Sequence, residues 1–193
     1  MANADTPFGL RPVRYLSGAP YNGAVNVYST PTGDNTAIFL GDPVTYIGTS
    51  QTINGNVYAD VKQAATSNII VGVCVGVVPV DQSSLIYRAA STQRLLLVAD
   101  DPNLLFEIQE VSGGTSLTAN DIGLNADFVV GSGTTANGMS GVELNNATEA
   151  ATATLDLLIT GFVNRVDNAV GENAKWYVRI NRHQYANQVI GKA

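Results

Sequence analysis

Ile69-Ile70-Val71-Gly72-Val73-Cys74-Val75-Gly76-Val77-Val78-Pro79-Val80 is the longest apolar run in this chain of 193 residues. It is apolar on both faces apart from its glycines, as expected of a central strand buried on each side. Gly72 and Gly76 mark a bulge or a close backbone approach. They also stop the run, with Pro79, well short of the roughly 18 residues that a membrane helix needs. Cys74 sits inside the run and reads as a small buried hydrophobe, so no disulfide framework is expected.

Outward from this run the pattern is strand after strand. Asn54-Gly55 lies between Thr49–Ile53 and Val57–Val61, a strong hairpin signal because both turn residues tolerate positive φ. Val25–Tyr28, Thr36–Leu40 and Val44–Ile47 are short β-rich runs separated by Gly-, Pro- and Asp-containing turns. Arg94–Ala99 and Leu105–Val111 flank the turn Asp100-Asp101-Pro102-Asn103. In the second run Phe106 and Ile108 alternate with Glu107 and Gln109, which places Glu107 toward solvent or a neighbour. Phe128–Gly131, Leu155–Asn164 and Lys175–Arg182 complete the series, Trp176, Val178 and Ile180 alternating with Tyr177, Arg179 and Asn181. Helix signals are limited to one turn's worth at Leu117–Ile122 and to Asn146–Thr152, which is alanine-rich but too short and rich in threonine to hold a helix. The glycine-rich tract 131–141 reads as an exposed, mobile loop or hairpin tip. The fold class is therefore all-β: a single β-barrel or sandwich, jelly-roll-like, over residues 25–193, ending in a short polar tail.

Residues 1–24 read differently. Phe8, Leu10, Val13, Tyr15 and Leu16 are large and apolar but follow neither the helical nor the strand period, and Pro7, Pro12 and Pro20 bias the backbone to extended forms. The expectation is an extended N-terminal arm that buries these side chains on another polypeptide, with Arg11 and Arg14 meeting carboxylates there.

The net charge of −6 is unevenly spread. Residues 1–20 carry +1 and residues 165–193 carry +3, whereas residues 21–164 carry −10. An acidic body repels phosphate backbones, so nucleic acid is not expected as the main partner. Basic ends on an acidic body suit docking of those ends onto an acidic surface. The first residues lack the apolar stretch of a secretory signal, so the expected setting is soluble and reducing, with no membrane partner.

Catalytic and metal signals are weak. His183 is the only histidine and lies in the tail Asn181-Arg182-His183-Gln184-Tyr185, where a surface or interface role is expected. A metal site would need more His or Cys ligands, and neither a metal nor a cofactor is expected. Asp100, Asp101, Glu107 and Glu110 group in sequence without an enzyme signature, and no catalytic residue is assigned. An alternative reading is a carbohydrate- or receptor-binding β module using Tyr21, Tyr46, Tyr58, Tyr87 and Trp176.

Three local patterns together carry a resemblance. They are Met1-Ala2-Asn3 with Pro7-Phe8-Gly9-Leu10-Arg11-Pro12-Val13, then Val98-Ala99-Asp100-Asp101-Pro102-Asn103 with Phe106-Glu107-Ile108-Gln109, and Val178-Arg179-Ile180-Asn181-Arg182-His183-Gln184. In this order they resemble the small decoration or cement proteins of tailed-bacteriophage heads. The resemblance implies a structural virion protein, usually a homotrimer, on the outer surface of an icosahedral capsid. It would clamp neighbouring major capsid protein subunits and stabilise the expanded shell. Pro7, Phe8, Leu10, Arg11, Val13, Arg14, Tyr15 and Leu16 of the arm, with Arg182 and Tyr185 of the tail, are the candidate partner-binding residues.

Overall fold

The computed structural model describes residues 3–192. Its strands are β1 (Arg11–Tyr15), β2 (Asn26–Thr30), β3 (Pro43–Ile53), β4 (Asn56–Gln63), β5 (Gly72–Val77), β6 (Arg94–Ala99), β7 (Leu104–Gln109), β8 (Asn125–Ala126), β9 (Phe128–Val129), β10 (Glu143–Leu144), β11 (Leu157–Phe162) and β12 (Lys175–Ile180). The chain is all-β. The barrel-or-sandwich expectation resolves into a closed five-stranded barrel, in the order β2-β4-β3-β5-β6, beside a five-stranded sheet in the order β1-β7-β12-β11-β8. The pair β9–β10 forms a small ribbon. All strand pairs are antiparallel except β2 with β4.

The apolar run around β5 is the wall between two cores. Val71 and Cys74 face the barrel interior with Tyr28, Ile38, Val44, Val61, Leu96 and Val98. Ile70 and Val73 face the second core, built with Phe106, Ile108, Trp176, Val178 and Ile180 of the sheet. A strand buried on both faces has no polar alternation, which is why the run reads as continuously apolar. Its glycines act as expected. A Cβ on Gly72 would collide with the backbone of Ala99 and Asp100, and the register slips between Cys74 and Gly76. The ends of the run are not buried: Ile69 and Val80 are exposed.

The hairpin joining β3 and β4 turns at Asn54 (φ 51°) and Gly55 (φ 81°), the left-handed pair that its sequence demands. Leu117–Ile122 makes a single 3-10 turn over Ala119–Asp121, capped by the Thr118 side chain accepting from the Asn120 amide. Thr36–Leu40 is not a strand: Ile38 and Leu40 make only isolated bridges, to Arg88 and Met139. The glycine tract is less free than expected. Thr134 bridges Met139, the Leu40 amide donates to the Gly138 carbonyl, and a Cβ on Gly133 would strike the Phe39 ring.

The largest correction concerns residues 3–24 of the expected arm, its first two residues lying outside the described ones. The expected arm is part of the body: β1 pairs with β7, Arg11 opposite Glu107 and Tyr15 opposite Leu104. Leu10 is buried in the sheet core, its amide donating to the Gly41 carbonyl at 2.9 Å. Gly9 (φ 73°) and Gly41 (φ 98°) let the two backbones approach so closely that a Cβ on either would clash. The absence of local periodicity means only that these side chains need a surface from outside their own segment. A strand edge more than ninety residues away in the same chain meets that need equally well. Residues 3–6 continue across the outer face of the sheet: Asn3 Nδ2 donates to the carbonyls of Ala169 and Glu172 at 2.8 Å, and the Thr6 amide donates to Gln109 Oε1 at 3.2 Å.

The tail is fastened too. Asn181 donates to the Ala153 and Leu155 carbonyls and accepts from the Val189 amide, and Lys192 donates its amide to Gly123. His183, expected at a surface or an interface, is buried within its own chain and bridges Ile70. Among the described residues no helix is long and apolar enough to cross a membrane.

Candidate docking face

The strand order β1-β7-β12 places the two basic ends of the chain one strand apart. Facing away from the core, one row runs Arg11, Glu107, Tyr177 and Gly161, and the next runs Arg14, Leu105, Arg179 and Leu158. Lys175 lies opposite Gln109. Arg165 reaches the same face from the loop after β11. Five of the ten basic residues therefore gather on one side of one sheet, where they meet the carboxylates of Glu107 and Asp167 and stand near Asp5 and Glu143, both bonded to Gln109.

Glu107 organises this face. It is 3 % exposed and receives Arg11 at 2.7 Å and Arg165 at 2.9 Å. It thus faces two arginines of its own chain, in place of the solvent or neighbour that the strand alternation predicts. Breaking such a pair by removing the carboxylate strands two guanidinium groups, although both are partly hydrated. Arg11 also lies 4.8 Å from the Phe8 ring centroid, and Arg14 lies 5.1 Å from that of Tyr177. Arg14 makes no carboxylate pair among the described residues.

The sequence-predicted partner-binding residues divide into three groups. Arg11 and Arg14 lie on the basic face, with Pro7 and Phe8 beside it and half-buried. Leu10, Val13 and Tyr15 serve the fold instead: Leu10 is in the core, Val13 accepts from the Tyr21 amide at 3.0 Å, and Tyr15 packs on Tyr21. Leu16 remains exposed. Arg182 and Tyr185 are elsewhere. Arg182 stands 3.7 Å from buried Asp156 and donates to the Thr154 carbonyl, so it is committed within the chain. The Tyr185 hydroxyl meets those of Tyr46 at 2.5 Å and Tyr28 at 3.2 Å, and Tyr28 donates to Asp100 at 2.7 Å. This cluster ties the C-terminal segment to the barrel.

Lys175, Tyr177, Arg179, Arg165 and Gly161 were missed as site residues. The alternation in β12 identifies Tyr177 and Arg179 as outward-facing, but only the pairing with β7 puts them beside Arg11 and Arg14. Three of the aromatics suggested for a sugar site are committed to contacts within the chain. Trp176 is buried, Tyr46 packs on Tyr28, and Tyr87 stacks on Phe39 at 4.8 Å.

Titratable groups inside the body answer to burial. Burial raises the carboxyls of Asp42 to about 6 and of Glu110 and Asp156 to about 7. Glu110 accepts from Trp176 Nε1 at 2.9 Å and from the Leu117 amide at 3.3 Å. Asp42 accepts from Ser140, Gln63 and the Phe39 amide. These are tie points that hold loops to strands. Burial lowers His183 to about 4, leaving a neutral ring whose Nδ1 accepts from the Tyr185 amide. Among the described residues no three His, Cys, Asp or Glu side chains group as metal ligands. Compared with protein-family models, curated proteins and solved structures, the chain gives no match.

Proposed function

We propose that this chain is a structural virion protein that binds the outside of an icosahedral phage capsid and braces neighbouring major capsid protein subunits. The observation that carries the reading is the convergence of both basic ends on one sheet face of an otherwise acidic molecule. Such a face suits an acidic, repetitive surface, and it leaves the acidic remainder toward solvent. The resemblance to phage decoration proteins supports the same role, and with it a homotrimer. The mode of attachment is revised: docking proceeds through a preformed face that includes β1, in place of a free arm. A protein that binds only the expanded shell stabilises that state by its binding free energy.

The test uses expanded shells of the phage that encodes the chain. Lys175→Glu with Arg179→Glu reverses two charges on the face. The half-saturating concentration on shells is expected to rise by at least about tenfold, the equivalent of one lost charge contact. Normal saturation by this variant, with an unchanged melting temperature, would exclude docking through the face.

A further inference from the structure

An open groove of about 750 Å³ is lined by Arg14, Ile122, Gly161, Phe162, Asn164, Trp176 and Tyr177, together with Ala119 and Val170. Gly161 makes the space. It lies in the register slip of β11 opposite Tyr177, and a Cβ there would have only Tyr177 Cδ2 within 4 Å, at 3.9 Å. Phe162 packs edge-on against Trp176, ring centroids 5.0 Å apart, giving the groove an aromatic wall. Its charged and polar groups are the Arg14 guanidinium and the Asn164 amide, and no carboxylate lines it.

We propose that this groove seats an extended segment of the shell subunit in which an Asp or Glu adjoins a Leu or Phe. The carboxylate would pair with Arg14 and Asn164, and the apolar side chain would lie in the space over Gly161 against Phe162. The assignment rests on the docking reading above and names its anchor point. Charge complementarity favours it: in a chain of net charge −6, this cleft offers a cation without a carboxylate partner among the described residues.

Trp176, the single tryptophan, provides the readout. The intact protein is titrated with the peptide acetyl-Glu-Phe-Glu-Leu-amide and, separately, with acetyl-Lys-Phe-Lys-Leu-amide, following tryptophan emission. A saturable change with the acidic peptide alone is expected. Arg14→Glu, at an exposed position, and Gly161→Leu, which fills the groove, should each raise half-saturation at least about tenfold. No saturable response to the acidic peptide, an equal response to the basic one, or unchanged titrations in both variants would overturn the proposal. The shell assay separates the two readings. If Lys175→Glu with Arg179→Glu loses shell binding while folded Gly161→Leu retains it, the groove is wrong and the face stands. If the peptide titrations behave as expected but the wild-type protein binds no shell, the groove stands and the shell reading falls.

Discussion

Glu110 is a carboxylic acid inside the sheet core, and its environment makes a prediction about pH. Burial raises it to about 7 against the downward pull of the bonds from Trp176 and Leu117. From about pH 4.5 to 7 the folded protein keeps a proton that the unfolded chain has released, so this group's contribution to stability falls as pH rises. Asp42 and Asp156 act in the same direction. His183, lowered to about 4, acts oppositely: below about 6.5 the unfolded imidazole takes up a proton that the folded one refuses, so its contribution is lost as pH falls. Glu110→Gln removes one titration while keeping an acceptor for Trp176. The melting temperature of the variant relative to wild type should therefore be higher at pH 8 than at pH 5, by thermal melts in matched buffers. An equal difference at both values would show that Glu110 does not titrate in that range. Little of this was legible in the sequence, where Glu110 was one of four nearby carboxylates around a turn. Burial is a property of what packs on a residue from distant strands.

Among the elements, β1 carries the largest revision. A free arm could be deleted without harm to the body. A strand that covers the edge of β7 and delivers Leu10 into the core cannot. Removing a buried leucine side chain alone costs about 2–5 kcal/mol, a large part of the 5–15 kcal/mol that holds a typical domain folded. Deletion of residues 1–20 should lower the melting temperature by more than about 10 °C or cause aggregation through the bared β7 edge, measured by circular dichroism and size exclusion. An unchanged melt would restore the independent arm. The element-level signals that did succeed were local. Asn54-Gly55 specified its hairpin, and the alternation of Lys175–Ile180 specified which side chains face the core, because both depend on backbone geometry within a few residues. Thr36–Leu40 failed because its hydrogen bonds go to scattered partners, Arg88 and Gly138, and not to a neighbouring strand.

At the scale of the whole molecule, the basic face predicts a salt signature. Docking carried by Arg14, Arg179 and Lys175 is screened by ions over about 10 Å at 0.1 M and about 3 Å at 1 M. Shell binding should therefore weaken progressively between 50 and 500 mM NaCl, with the charge-reversed face showing a shallower dependence. Binding insensitive to salt would point to an apolar contact instead. The all-β class, a strand buried on both faces inside the apolar run 69–80, the tight hairpin and the presence of basic chain ends were settled by the sequence alone, since each rests on composition or on local residue pattern. Which strand lies beside which was decided by tertiary structure. Whether Phe8–Tyr15 reaches outward or inward depends on the edge of β7, and whether the basic ends meet depends on both flanking the same strand. Pairing partners far apart in the chain are selected by the geometry of the assembled backbone, and no local pattern of residues encodes that choice.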